Sequence, residues 1–313
     1  MQITQPRVEQ SAPARAPSVP GPARRRQLRL PSVYFWMLAP AVAVCLGFVI
    51  YPLLRTVYLS FTDLGAAGDA ELVGGANYAE MIHDAAFWNS LRVTAIFIVV
   101  GIVVELVLAW ALALLLQGTV SRLSRTLRIV FAIPMMLCPV VIGITWRALL
   151  NPQFGWLNAL FGTPEMDWVG DPSKALWVLI AVDVWHWTPF MFMLISAGLL
   201  SIPDEIREAA RLDGAGAVRV LRHITIPLLM PATLIAVLLR TLDATKTFDL
   251  PYTLTGGGPG TSTQTIAIFL YRNAFAKFDQ GYASAVAITV TIALTVFALV
   301  YLSIVRLVER KLT

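Results

Sequence analysis

Six stretches of this chain, at 34–54, 94–116, 129–150, 175–198, 228–249 and 282–305, are apolar over lengths that cross roughly 30 Å of hydrocarbon. No other feature narrows the fold as much. A backbone in lipid must satisfy its own hydrogen bonds, so spans of this length predict helices. Composition agrees: 57% of residues are hydrophobic and 14% are charged, too little polar surface to keep a soluble globule of 313 residues dissolved. The predicted class is an all-α integral membrane protein with six transmembrane helices. The fifth span stands apart because it carries Arg240, Asp243 and Lys246.

The basic residues set the orientation. With the N-terminus inside, the segments on that side hold sixteen of the 24 Lys and Arg residues, including Arg24, Arg25, Arg26, Arg122, Arg125, Arg128, Arg219 and Arg222. The opposite side holds six, and this bias predicts that both termini are cytoplasmic. The net charge of +5 follows from it and does not indicate a nucleic-acid partner, since no basic groove interleaved with aromatics occurs. Residues 1–31, rich in Pro, Ala and Arg, predict a disordered basic arm. The apolar stretch after it is too long for a signal peptide and no small-residue site closes it, which predicts an uncleaved anchor.

Several chemistries find no support. Cys45 and Cys138 fall inside spans and are expected as buried apolar residues without a disulfide. His83, His186 and His223 are scattered and predict no metal site. No nucleophile is paired with a base, and no glycine-rich loop is followed by Lys-Ser or Lys-Thr. The reading is a chain that is not an enzyme and binds no cofactor itself.

Between the spans, 55–92 has Gly-rich turns and then a predicted interfacial helix at 78–91. QGTVSRLSRTLR reads as a short basic loop, and 151–174 alternates turn signals with aromatics. TLTGGGPGTSTQT reads as a backbone turn. Pro134, Pro139, Pro189 and Pro231 predict kinked or broken helices.

The segment SIPDEIREAARLDGAGAVRVLRHITIPLLMP, at 201–231, places eight charged side chains between Asp204 and Arg222. Ser201 is the expected N-cap and Pro203 suits the first turn. Asp204, Glu205 and Glu208 fall early and Arg207 and Arg211 late, as the helix dipole favours. Ile206, Ala209, Ala210 and Leu212 form a small apolar face, Gly214 is the expected C-cap, and a second short helix follows at 215–223 before Ile226-Pro227 returns to the membrane. This helix–Gly–helix elbow is either a solvated loop or a docking element, and its small residues let a partner backbone approach closely.

EAARLDGAGAVRVLRHITIP has the spacing Glu-Ala-Ala, three residues, Gly, nine residues, Ile-x-x-Pro, carried by Glu208, Ala209, Ala210, Gly214, Ile224 and Pro227. It resembles the signature loop of the membrane-spanning subunits of binding-protein-dependent ABC importers. YPLLRTVYLSFTD, GGANYAEMIHDAAFWNSLRVT and TLTGGGPGTSTQTIAIFLYRNAF resemble the maltose-type and glycerol-phosphate-type branch, and TLTGGGP resembles its larger-subunit type. The resemblance implies a type I ABC importer permease fold over 32–313, in the plasma membrane of a prokaryote, with a coupling loop at 201–227. Glu205, Glu208, Ala209, Ala210, Asp213, Gly214 and Ala215 would then meet the ATPase. The implied partners are a second homologous permease, two copies of an ATP-binding cassette ATPase that hold the ATP and Mg, an extracytoplasmic sugar-binding protein, and membrane lipid.

Ionisable residues inside spans are expensive and are functional candidates. Asp183, Trp185, His186, Trp187 and Phe190 cluster in the fourth span beside Pro189. In the fifth, Arg240, Asp243, Lys246 and Thr247 follow at helical spacing, so one face carries the polarity. These ions either pair, for example Arg240 with Asp243, and lock helices together, or form a midplane site whose polar groups meet hydroxyls and whose aromatics stack on sugar rings. The resemblance assigns sugar contacts to Trp185, His186, Trp187, Phe190, Arg240, Asp243, Ala244 and Thr247. Where that family has Phe and Asn, this chain has Asp243, Ala244 and Thr247, which argues against maltose itself and for a sugar met by more charge-assisted bonds; the resemblance implies a disaccharide or small oligosaccharide. Glu105 is expected to pair or to gate. Two alternatives stay open: uptake of a polyol phosphate met by Arg240 and Lys246, and a proton-coupled carrier using Asp183, Glu105 and Asp243.

Overall fold

The computed structural model describes residues 32–312 apart from 66, 67, 69, 117–121, 164 and 165. The expected arm at 1–31 lies outside the described residues. The chain divides into two units between Tyr51 and Pro52. In the first, residues 32–51 are helical throughout. The rest of the account concerns the second.

Thirteen α-helices occur among the described residues. They are α1 (Ser32–Leu59), α2 (Ala76–His83), α3 (Ala85–Leu115), α4 (Arg122–Met136), α5 (Pro139–Leu149), α6 (Trp156–Leu160) and α7 (Ala175–Leu200). Then come α8 (Asp204–Leu212), α9 (Ala217–Val220), α10 (Ile226–Lys246), α11 (Asp249–Thr255), α12 (Ile266–Tyr271) and α13 (Gln280–Leu312). Two π turns, Leu221–Thr225 and Arg272–Ala276, join α9 to α10 and extend α12. A lone bridge between Thr62 and Leu72 is the strand-like pairing among the described residues.

Five helical segments are long and apolar enough to cross a membrane: Trp36–Leu59, Ala85–Leu115, Ala175–Leu200, Ala217–Lys246 and Gln280–Leu307. The expected span at 129–150 is broken, as its prolines predict. It breaks between α4 and α5, which are bent by 97°. Pro139 accounts for the break. A residue before proline is pushed out of the helical region, and Cys138 is extended at ψ 130. Pro139 itself starts α5, where its missing N–H leaves no helical bond unmade. Counted as one bent span, the pair brings the total to six.

Four expectations are corrected. The interfacial helix expected at 78–91 is split at Asp84, and α3 starts at Ala85, well before 94. Asp84 makes the split because it caps α3: its Oδ1 accepts from Ala86 N at 2.7 Å and its Oδ2 from Tyr282 Oη at 2.7 Å. The basic stretch Arg122–Arg128 is the start of α4 and not a loop. Cys45 and Cys138 are exposed, because apolar residues of a membrane helix can face outward as readily as inward. Ser201 does not start α8; its hydroxyl donates to Gly198 O at 2.7 Å and closes α7.

The core is built on α3, α7 and α10. One apolar cluster joins Ile102, Ala109 and Ala113 of α3 to Met191, Phe192, Ile195 and Leu199 of α7 and to Leu229 and Ala236 of α10. A second joins Phe97, Ile142, Leu179, Val182, Val184, Ala244, Leu250 and Leu254. Small residues bring the helices close. A Cβ on Gly198 would lie 2.8 Å from Leu229 Cδ2, and one on Gly143 of α5 would overlap Thr253 of α11. The glycine loop after α11 is pinned as well: Arg272 Nη2 donates to Gly256 O at 2.7 Å and Thr263 Oγ1 to Gly258 O at 2.7 Å.

Candidate functional site

Polar side chains meet where the two apolar clusters adjoin. Arg240, on α10, extends between α3 and α7. Its Nε lies 3.0 Å from Glu105 Oε2 and its Nη2 3.0 Å from Glu105 Oε1, and Nη2 also donates to Asp183 Oδ2. All three side chains are buried, with 1% or less exposed. Isolated charges could not persist there, but paired and hydrogen-bonded ones can. The Trp187 ring lies against the guanidinium, its centroid 5.1 Å from the central carbon, which adds a cation–π contact.

Trp187 also lines a cavity of about 390 Å³. It forms where two chain breaks face α7. Pro139 contributes from the break between α4 and α5; Thr247, Phe248, Asp249 and Leu250 come from the break between α10 and α11. His186, Trp187, Asp243 and Lys246 complete the lining. Thr247 leaves the helix in an extended conformation at ψ 116, which opens the wall, and its Oγ1 donates to Asp243 O at 3.1 Å. Asp243 is half-buried and held from two sides, with Arg240 Nη1 at 3.8 Å and Lys246 Nζ at 3.6 Å.

The structure sorts the residues expected from sequence into three groups. His186, Trp187, Asp243 and Thr247 line the cavity together. Asp183 and Arg240 lie behind it with Glu105, and Arg240 pairs first with α3 and α7 and only at longer range with Asp243. Trp185 and Phe190 do not line it. Trp185 packs edge-on against Trp146, with centroids 5.6 Å apart, and Phe190 packs against Trp187 and the first core cluster. Phe248, Asp249 and Pro139 were missed. The available signal was Pro139 as a break point and the polar run continuing past Thr247.

The elbow at 201–227 is the second candidate. The α8 helix ends in Gly214 at φ +75, a left-handed conformation that glycine adopts without strain. Ala215 N donates to Ala210 O at 2.9 Å, the six-to-one bond of a Schellman end. Glu205, Glu208, Ala209 and Asp213 are exposed, and Ala210 and Ala215 partly so. Leu212 is 89% exposed and Val218 78%. The second helix expected at 215–223 is not a separate piece. From Ala217 it continues through the π turn into α10 and runs to Lys246.

Residues 106–313 match the family described as "Binding-protein-dependent transport system inner membrane component". The trehalose/maltose transport system permease protein MalF of Thermococcus litoralis is 34% identical over 276 residues, 87% of this chain and 93% of that protein. The sulfoquinovosyl glycerol transport system permease protein SmoG of Agrobacterium fabrum is 34% identical over 275 residues, 86% of this chain and 89% of that protein. Among solved structures, a chain of a bacterial ABC transporter involved in import of the acidic polysaccharide alginate superposes with a TM-score of 0.77 at 18% identity, covering 88% of this chain and 95% of that one.

Proposed function

This chain belongs to the family of inner membrane components of binding-protein-dependent transport systems, and we propose that within it the chain forms half of the membrane pathway of a sugar ABC importer. The observation that carries this reading is the elbow. Two large apolar side chains, Leu212 and Val218, stand free of the chain's own packing among the exposed acids Glu205, Glu208 and Asp213. Exposed apolar groups rimmed by charge fit a protein partner. Here the partner is the ATP-binding cassette ATPase, present in two copies, which holds ATP and Mg. A second, homologous permease supplies the other half of the pathway, and an extracytoplasmic sugar-binding protein delivers the substrate. Both termini and the elbow lie on the cytoplasmic side, in accord with the basic residues there.

The sugar lies in the cavity between α5, α7, α10 and α11. Trp187 and Phe248 offer ring faces, while Asp243, Thr247 and His186 offer hydrogen-bond partners. The MalF relative, by its name, serves trehalose and maltose, which favours a disaccharide or small oligosaccharide. ATP-driven movement of the ATPases biases one arrangement of the helices over another through the elbow. Affinity-tagged chain, purified from its own membranes in mild detergent, tests the assembly. The expected result is recovery of a Walker-motif ATPase and a second permease. Recovery of the chain alone would sink the reading.

A further inference from the structure

Residues 150–163 contain no Asp, Glu, Lys, Arg or His. A turn that faces water exposes polar side chains and buries apolar ones. This turn does the reverse. Asn158 is buried and its amide is used up inside the turn: Nδ2 donates to Asn151 O at 3.3 Å and to Met166 O at 3.0 Å, and Oδ1 accepts from Trp168 Nε1. Asn151 Oδ1 accepts from Gln153 N at 2.8 Å. A Cβ on Gly155 would overlap Leu149 O, so the chain is folded tightly back on the end of α5. On this fixed scaffold Phe154 is 71% exposed, Trp156 58%, Leu160 66% and Phe161 62%. Trp156 and Leu160, four apart, share the face of α6 away from the buried Leu157 and Asn158. Large apolar side chains held outward by buried amides fit an apolar surrounding, not water.

We propose that residues 154–161 are a lipid anchor, seated at the headgroup–acyl boundary of the leaflet opposite the elbow. The patch is tethered to membrane helices on both sides: it follows directly on α5, and α7 starts at Ala175, the end of α7 away from the elbow. It is therefore continuous with surfaces already in the bilayer. Its charge pattern selects lipid over a protein. A protein–protein contact is ringed by polar groups, and this stretch has no charged side chain of its own. Trp and Phe are the residues that settle at a membrane–water boundary, about 5–10 Å deep for an interfacial helix. Arg147, exposed on the last turn of α5, supplies a cation for the phosphate layer. Charge resumes at Asp167, Asp171 and Lys174, which with Gly162 and Thr163 line an open polar concavity of about 550 Å³. Polarity thus rises along the turn, with its first half suited to lipid and its second to water. Seated this way, the turn fixes the depth of α5, whose first residue, Pro139, walls the cavity. The inference needs only the membrane location of the chain, not the sugar reading.

The test uses the full chain, with the subunits that co-purify with it, in lipid nanodiscs. Cys45 and Cys138 are the free cysteines and are replaced by Ala. Phe154→Cys, Leu160→Cys and, as the control, Asp167→Cys then each carry the environment-sensitive fluorophore NBD. The expected result is blue-shifted emission at 154 and 160 relative to 167. Lipids brominated near the headgroup end of the acyl chain should quench the labels at 154 and 160, and aqueous iodide should quench them several-fold less than the label at 167. Equal iodide quenching at all three positions would overturn the proposal, because the patch would then stand in water. Shielding from iodide without quenching by brominated lipid would overturn it too, and would place a protein subunit over the patch. Loss of the lipid quenching on addition of an extracytoplasmic binding protein would assign the patch to that protein instead. Phe154 and Leu160 are both exposed and either label reports alone, so failure of one variant to fold leaves the test intact.

Discussion

The guanidinium of Arg240 grips the carboxylate of Glu105 across 135 residues of sequence, with Nε 3.0 Å from Oε2 and Nη2 3.0 Å from Oε1. This bidentate contact ties α10 to α3, and the second arm to Asp183 adds α7. Removing the shared cation leaves two buried carboxylates unpaired. Arg240→Ala should therefore cost about 3–5 kcal/mol and lower the unfolding temperature of the detergent-purified protein sharply. Arg240→Lys should recover only part, since an ammonium cannot make the paired bonds. An Arg240→Ala protein as stable as wild type would show that the triad does not hold the helices.

Gly143 is the point where α5 touches α11. Any side chain there overlaps Thr253, whose hydroxyl is already held by Asp249 O at 2.7 Å. Gly143→Ala should destabilise by about 1–3 kcal/mol, and Gly143→Val by more. Because α5 and α11 both wall the cavity, transport should fall before the protein is lost from the membrane. Uptake and membrane level measured together in the two variants would reveal this order.

The turn at Gly214 needs a positive φ. Gly214→Ala should cost about 1 kcal/mol locally and reduce uptake modestly. Gly214→Pro and Glu208→Lys should abolish uptake with the chain still in the membrane. Leu212→Lys should weaken recovery of the ATPase with the tagged chain. Normal uptake in both Gly214→Pro and Glu208→Lys would remove the elbow from the mechanism.

Asp171 opens the turn that leads into α7. Its carboxylate accepts from Lys174 Nζ and from the Ser173 hydroxyl and amide, and these bonds, Lys174 first, hold its pKa down at about 2. A lowered folded pKa means the contribution is complete above the unfolded value near 3.9 and is lost as pH falls toward 2. Hydrogen exchange at the Lys174 and Ala175 amides, each bonded to Asp171 O, should report no loosening between pH 7 and 5. Asp171→Asn should show faster exchange already at pH 7. Equal exchange in the two proteins would assign the turn to backbone bonds alone.

The residues explain which parts of this structure could be read in advance. Length and apolarity located α7 almost to the residue, because one periodic run has one helical solution. The glycine at 214 announced its own turn for the same reason, since few other residues tolerate that φ. Of the four prolines expected to kink or break a helix, Pro139 marks a 97° break, while Pro134, Pro189 and Pro231 stay inside helices, a difference that spacing alone did not show. Long-range pairing was invisible. Spacing along α10 pointed from Arg240 to Asp243, three residues on, while its stronger partners lie 57 and 135 residues away. Trp185 and Trp187 show the limit for side chains: both stand in one polar stretch, yet a two-residue step turns one toward Trp146 and the other onto Arg240.

The helix that leaves the elbow runs from Ala217 to Lys246 without an intervening loop, a rod of about 45 Å at 1.5 Å per residue. One end carries the exposed Val218 and the other carries Asp243. A loop between them would absorb motion. A rod delivers it, so a few degrees of tilt imposed at Val218 become an ångström-scale displacement of the carboxylate at the cavity wall. On the proposed function, force arriving at the elbow and the grip on the sugar are two ends of the same lever.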